Sequence, residues 1–393
     1  MMSEKKENVL IVHNYYQIPG GEDTVVANEK KMLEEHGHKT VLYSRHNSEL
    51  NQLSKIKKLL LPFSTIFNCR TYREVKTLIK EEKIDVVHVH NTLNLISPAV
   101  YYAAMACKVP VVQTIHNFRL LCPGATFYRD GHICEDCATK GLFCAVKHQC
   151  YRNSKVQTLA CVINTWIHRI SGIYGKLNYI CLTDFNKDKI LQLKQIKKEK
   201  VFVKPNFVQS AESIVPYEQR KKQFVYAGRL DHLKGIDFLL ETWKESSFDD
   251  YKLIICGTGP MEEWCKKYVQ EHHLRNVDIK GFVDNKTAKN MIGESKALIL
   301  PTRWYEGFPM TIVESYSVGT YVVGTDMGNV GSLITNDATG WKFTENSKES
   351  LKNAMNQARN MNEGISEDSI KKYSEEKNYE QLRVIYETCC NYH

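Results

Sequence analysis

Residues 297–314 read Ala297-Leu-Ile-Leu-Pro-Thr-Arg-Trp-Tyr-Glu-Gly-Phe-Pro-Met-Thr-Ile-Val-Glu314. Four consecutive apolar residues suit a strand covered on both faces. Pro301 ends it, and Pro309 fits the first turn of a helix, where its missing N–H is not needed. Strand, loop and helix in that order form the repeating unit of a parallel sheet with crossover helices. The alternation extends along the whole chain. Strands are expected at Asn8–His13, Lys39–Tyr43, Asp85–His90, Val109–Ile115, Asn178–Leu182 and Val201–Val203, then at Gln223–Ala227, Lys252–Cys256, Val277–Lys280, Ala297–Leu300 and Tyr321–Val323. Between the two sets, Pro205, the polar run Gln209–Ser213 and the charged run Glu218–Lys222 mark a linker.

The fold class is therefore α/β, with two Rossmann-like doubly wound domains expected to face each other across a cleft. The first spans residues 1–205, with a Cys-rich insertion near 118–152, and the second spans 206–367. A helical segment over 368–393 either caps the second domain or crosses back onto the first. In such sheets ligands bind beyond the carboxyl ends of the strands, so the chemistry is sought in the loops that follow them.

Composition narrows the function classes. With 42% hydrophobic and 25% charged residues in 393, the chain is neither disordered nor collagen-like. Its apolar stretches fall short of the roughly 18 residues of a spanning helix, and no apolar h-region follows the polar start, so a cytosolic protein is expected. Residues 1–205 hold 30 Lys/Arg against 18 Asp/Glu (+12), and residues 206–393 hold 23 against 27 (−4), which together give the net +8. The basic half is the one suited to an anionic surface. Within it, Lys55, Lys57 and Lys58 adjoin Leu59, Leu60, Leu61 and Phe63, the mixture of a peripheral contact with the inner face of the cell membrane. Few exposed aromatics interleave with these cations, and base-reading motifs are missing, which argues against nucleic acid.

Three loops carry the site candidates. After the first strand, Gly20 and Gly21 open a helix, where free N–H groups at the positive end of the dipole admit a ligand. No Gly-x-Gly-x-x-Gly is present, which weakens a nicotinamide-dinucleotide reading. Ala227-Gly-Arg-Leu-Asp-His-Leu-Lys-Gly235 places Arg229 and Lys234 after a strand, where two cations would neutralise a diphosphate. Gly257 and Gly259 expose backbone after the next strand. In the opening stretch, Met310 and Thr311 offer first-turn N–H groups to phosphate oxygens, and Glu306 and Glu314 reach different parts of one extended ligand.

In this order the motifs resemble the retaining glycosyltransferases of family 4, which have the GT-B fold, over nearly the whole chain. The resemblance implies a nucleotide-diphosphate sugar donor held by the second domain and a glycan or lipid-linked acceptor held by the first, in surface polysaccharide or glycolipid synthesis. It implies that Arg229 and Lys234 hold the diphosphate, Glu314 the ribose, Glu306 the sugar hydroxyls, and the backbone of Phe308, Pro309, Met310 and Thr311 the sugar and phosphate. His116 matches the histidine that contacts the donor sugar. Gly328-Asn-Val-Gly331 lacks the acidic residue usual in that loop. No Asp-x-Asp triplet is present to hold a catalytic Mg²⁺ or Mn²⁺, so a metal-independent hexosyltransferase with no catalytic cofactor is expected. The rival readings are a non-catalytic sugar-binding protein and an inverting GT-B transferase or epimerase.

Cys122, Cys134, Cys137 and Cys150 have the ligand spacing of a small tetrahedral zinc site that would pin a loop poor in apolar core, with Cys144 and His148 as alternative ligands. Ordinary thiols and a zinc-ribbon module are the competing readings. Cys69, Cys107, Cys161, Cys181, Cys256 and Cys265 lie in apolar segments and are expected in the core.

Overall fold

The computed structural model describes residues 6–17, 20–52, 54–209, 211 and 213–391, and for residues 55–59 the backbone. The chain divides into two compact units. The first comprises residues up to Arg129, Cys134–Pro205 and the segment from Asn378 on; the second comprises Asp130–Ile133 and Asn206–Lys377.

The first unit is built on strands β1 (Asn8–Tyr15), β2 (Lys39–His46), β3 (Val86–Asn91) and β4 (Val111–Ile115). The short β5 (Tyr128–Arg129) and β6 (His132–Ile133) stand apart, and β7 (Asn178–Cys181) and β8 (Val201–Val203) complete the sheet. Its order is β2-β1-β3-β4-β7-β8, with every pair parallel. Val9–Val12, Val86, Val87 and Val89 are fully buried, as the continuous apolar runs require.

The second unit carries β9 (Gln223–Ala227), β10 (Lys252–Cys256), β11 (Val277–Gly281), β12 (Ala297–Leu300), β13 (Tyr321–Thr325) and β14 (Gly340–Phe343). Its order is β11-β10-β9-β12-β13-β14, again all parallel. Three strands run outward from β9 in one direction and three from β12 in the other. The crevice of a doubly wound sheet therefore lies at the carboxyl ends of β9 and β12, the two strands that precede the Arg229/Lys234 and Glu306 loops. In the first sheet the order reverses between β1 and β3, below His13 and His90.

Two pieces differ from the sequence reading. β14 was not expected, because Gly-Trp-Lys-Phe offers no apolar run; it pairs with β13 from Val322↔Gly340 to Thr325↔Phe343. Cys69 is exposed and Cys107 half-buried, whereas Cys161, Cys181, Cys256 and Cys265 are buried. Cys69 starts the helix Cys69–Glu81 behind the cap Asn68, which leaves it at an open end.

Polar interactions tie the terminal segment to the first unit. Glu29, on the helix Gly21–Glu35, accepts from Lys204 Nζ at 3.1 Å, and both side chains are sealed from water. Lys204 also donates to Asn378 Oδ1 (2.8 Å), and Asn378 Nδ2 donates to the Pro205 carbonyl. Tyr386 OH meets His88 Nδ1 at 2.7 Å, and Tyr379 OH meets His38 Nε2 at 3.0 Å. Burial alone would raise the Glu29 pKa, but Lys204, His88 and His90 outweigh it and hold the carboxyl well below its usual range.

Removing one partner strands the other charge in the interior. Lys204→Met is expected to cost about 3 kcal/mol or more of first-unit stability, read as a lowered thermal midpoint. The double variant Lys204→Met/Glu29→Leu should recover part of that loss.

Candidate active site

In the second unit the loops after β9 and β12 are zipped together. Gly235 sits at φ +71°, and a Cβ there would lie 1.9 Å from the Pro301 carbonyl oxygen. Arg303 N donates to the Leu233 carbonyl at 2.9 Å, and Thr302 Oγ1 lies 3.2 Å from the same oxygen. This approach brings Lys234 to Glu306. Lys234 Nζ donates to Glu306 Oε1 at 2.7 Å, and the same oxygen accepts from Trp304 Nε1 (3.0 Å) and Thr302 Oγ1 (3.1 Å). Glu306 is buried. Asn329 Nδ2 donates to the carbonyls of Glu306 and Gly307, at 2.6 Å each, which fixes the loop from beneath.

Arg229 is exposed and lies 3.5 Å from Asp231 on its own loop, while the Tyr226 hydroxyl donates to its carbonyl at 2.7 Å. Glu314 is half-buried on the helix Met310–Ser317 and accepts from Asn285 Nδ2 at 2.9 Å. Pro309 caps that helix, so the N–H groups of Met310 and Thr311 fall in its first turn. Phe308 and Met310 pack against the core. The structure thus joins Lys234 to Glu306 directly and assigns Glu314 a separate partner. Gly257 (φ +138°) and Gly259 make room for backbone: a Cβ would lie 1.9 Å from the Gly228 carbonyl oxygen and 2.3 Å from that of Leu230. Their side-chain-free positions seat one loop on another.

In the first unit, Gly20 and Gly21 are exposed, and an added Cβ would meet nothing within 4 Å. Asp23 Oδ2 already accepts from Gly20 N at 3.0 Å, and Asp23 Oδ1 lies 2.7 Å from His13 Nε2. Glu22 accepts from the Tyr16 hydroxyl at 2.8 Å, and burial pushes its carboxyl pKa up to about 8. The first turn of this helix therefore already carries two acidic side chains.

His116 follows β4, with its Nε2 3.0 Å from His90 Nδ1, so one of the two nitrogens must donate. His90 Nε2 faces Glu29 Oε1 at 3.6 Å. The carboxylate favours a proton on that His90 nitrogen. His90 Nδ1 is then bare, and His116 donates from Nε2 and presents Nδ1 as an acceptor. Burial lowers His116 to about 3 and holds His90 well below the usual imidazole range. The two residues line a cavity of about 70 Å³ together with Asn91, Thr114, Asn164 and Thr165.

The Cys-rich insertion gathers thiols around buried Cys137, whose charge neighbours are Cys122, Cys150 and Cys144. Burial raises the Cys137 pKa to about 12. Cys144 and Cys150 pack on the small cluster Cys137, Leu142, Ala145 and Val162, while Cys122 Sγ and Cys150 Cβ both border Gly124. Cys134, expected as a ligand, donates its N–H to the Phe127 carbonyl, and its thiol lies with that of Cys144 near Lys140. Among the described residues, the group of metal-binding type that closes to 4.8 Å is Glu29, His88 and His90, not the thiols. There the Lys204 ammonium already neutralises the carboxylate.

Sequence reasoning missed Thr302, Trp304, Asn329 and the His90–His116 pair. The signals were present: Thr302 and Trp304 flank the loop already singled out, and Asn329 lies in the glycine-rich loop noted for lacking an acid.

Residues 19–212 match the family described as Glycosyltransferase Family 4, and residues 210–377 match the one described as Glycosyl transferases group 1. The chain is similar to an uncharacterized 42.6 kDa protein in the cps region of Klebsiella pneumoniae, 24% identical over 312 residues that cover 78% of this chain and 75% of that one. Its fold matches the lipopolysaccharide outer core galactosyltransferase WaaB in apo form, with TM-score 0.67, 16% identity, and 97% and 99% of the two chains covered. It also matches Anabaena Alr3699/HepE in complex with UDP and glucose, with TM-score 0.59, 15% identity, and 97% and 100% covered. These likenesses place both parallel-sheet domains in the GT-B fold.

The depressed histidines make stability depend on pH. In the unfolded chain a histidine takes up its proton near pH 6.5; folded His116 resists until about 3. Their contribution to stability should therefore fall as pH drops from about 6.5 towards 3, by up to about 1.4 kcal/mol per pH unit for each such histidine. Glu22, held near 8, acts in the opposite sense above about pH 4.5, so the check is the comparison of chains: between about pH 6.5 and 4.5 the thermal midpoint of wild type should fall relative to that of His116→Gln.

Proposed function

The chain belongs to the family 4, group 1 glycosyltransferases, and from that premise we propose that it moves a hexose-type sugar, with retention of configuration, from a nucleotide-diphosphate sugar to a glycan or lipid-linked acceptor. The observation that carries this reading is the buried Glu306 carboxylate, held by Lys234, Trp304 and Thr302 at the carboxyl ends of β9 and β12. A carboxylate desolvated there, already paired with an ammonium, is suited to a ligand with sugar hydroxyls beside a diphosphate. The hydroxyls replace donors on Glu306, and Lys234 turns to the phosphate. The solved relative holding UDP and glucose agrees with such a donor, and the cps-region relative agrees with surface polysaccharide or glycolipid synthesis.

In the reaction the bond from the anomeric carbon to the diphosphate oxygen breaks, and the acceptor hydroxyl oxygen bonds to the same face. Its proton passes to the departing phosphate oxygen. Arg229, Lys234 and the first-turn N–H groups of Met310 and Thr311 stabilise the charge that grows on the diphosphate, with no catalytic metal. His116 Nδ1, bare of a proton, is the acceptor that the first unit offers to a sugar hydroxyl. In the Cys-rich insertion, Cys122, Cys134, Cys137 and Cys150 hold one structural zinc, with Cys144 as the alternative to Cys134. Side-chain rotation would have to close the sulfurs onto the ion.

A thermal-shift panel of nucleotide-diphosphate sugars identifies the donor, since a ligand at 100 times its Kd stabilises by about 2.7 kcal/mol. A shift without transfer or hydrolysis would favour a binding protein, and inverted product would favour the inverting class. Glu306→Gln is expected to lower turnover by about a hundredfold with nucleoside diphosphate binding retained, whereas Glu314→Gln weakens that binding about tenfold. Equal binding by both variants and wild type would refute this division. EDTA should leave initial rates unchanged; prompt loss restored by Mg²⁺ would overturn the metal-independent reading. Elemental analysis of freshly purified reduced protein should find one zinc per chain, and finding none would remove the zinc assignment.

A further inference from the structure

The helix Lys155–Ile170 is inside out. Its buried side holds Thr158, Asn164, Thr165 and His168 beside Cys161 and Val162. Its open side carries Val156 (74% exposed), Leu159, Trp166 (46%) and Ile170 (66%). Positions 156, 159, 166 and 170 fall on one helical stripe at spacings of three, seven and four. The polar side is accounted for: Asn164 and Thr165 line the cavity beside His116. His168 Nε2 donates to the Ile66 carbonyl at 2.9 Å, which docks this helix against the helix Lys55–Ile66. That second helix adds Phe63 (70% exposed) and Leu60 (53%). Nothing in the fold explains the apolar side, and six large apolar residues on two packed helices exceed the scattered exposure normal for a monomer.

The charge on the two helices has one sign. The two helices contain Lys55, Lys57, Lys58, Lys155 and Arg169 and no Asp or Glu, while the nearby Arg70 and Lys140 are paired with Glu74 and Asp136. The helices hold a disproportionate share of the +12 of the first 205 residues. An apolar stripe with a tryptophan, on helices whose charged residues are all cations, complements a surface with negative charge outside and hydrocarbon beneath. A second copy of this chain would set cations against cations. We propose that the open faces of Lys155–Ile170 and Lys55–Ile66 form a membrane-docking surface for bilayers that contain anionic lipid. The apolar side chains enter the interface, and the lysines and arginines meet the headgroups. No helix among the described residues is long and apolar enough to cross a membrane, so the docking is interfacial. The proposal does not depend on which sugar is transferred.

The test is flotation of the full chain with vesicles of phosphatidylcholine and phosphatidylglycerol at 7:3 and with phosphatidylcholine alone. Wild type should float with the anionic vesicles and at least tenfold less with the neutral ones. Phe63→Ser/Trp166→Ser/Ile170→Ser should reduce partition to the anionic vesicles by more than tenfold without moving the thermal midpoint. Should that variant fold poorly, brominated lipid gives an independent reading in wild type. The other tryptophans, Trp243, Trp264, Trp304 and Trp341, all belong to the second unit. Membrane-dependent quenching should therefore vanish in Trp166→Phe. Equal flotation of wild type and a folded triple variant would overturn the proposal by showing that the cations alone bind. No flotation, with a dimer that the triple variant dissolves, would overturn it in favour of self-association.

Discussion

The carboxylate of Glu29 has no water to face, and much of the first unit is arranged to satisfy it. Lys204 reaches it from the end of β8, His88 and His90 from β3, and Asn378 holds the lysine from the terminal helix. A charge pair this deep contributes little net stability over an apolar pair of the same volume, yet either member alone is expensive. Its value lies in specificity, because four segments far apart in sequence meet only in the register that completes the set. The same carboxylate orients His90 and, through it, sets the tautomer of His116. Structure and candidate chemistry share one buried group.

In the second unit the corresponding constraint is steric. Gly235 lies against Pro301, and Gly257 and Gly259 against the 228–230 backbone, closer than any side chain would allow. The loops after β9 and β12 can therefore carry opposite charges at hydrogen-bond distance. Lys234 and Glu306 meet because two backbones touch. Without that approach each would be an ordinary loop side chain with a solvated charge worth little.

Much of this was legible in the amino-acid order. Strands covered on both faces announce themselves as continuous apolar runs, so β1, β3, β4, β9, β10, β12 and β13 could be read directly. β14 escaped because a strand that opens with glycine and contains lysine carries no such run. Local motifs gave Lys234, Glu306 and Glu314, since chain neighbours define a loop. The His90–His116 contact and the support from Asn329 join strands and loops 26 and 23 residues apart, and no short pattern encodes such a pairing. The two glycines at 20 and 21 were read as opening helix N–H groups to a ligand, but Gly20 N donates to the Asp23 carboxylate, a contact between near neighbours that the pair of glycines does not announce. The inverted helix Lys155–Ile170 went unnoticed because its two sides differ in partner, not in hydrophobic periodicity.

The discontinuity of the first unit has a consequence for synthesis on the ribosome. Residues up to 205 emerge first, but Asn378 and Tyr386, which complete the contacts of Lys204 and His88, emerge last. At about 5–20 residues per second, the intervening 172 residues from 206 to 377 take on the order of 10 to 35 s. During that interval the second unit, contiguous apart from four residues, has all it needs to close, while the first waits with a half-satisfied ion pair. The later half of the message thus yields the earlier finished domain, and the nascent first half is the stretch a chaperone would have to shield.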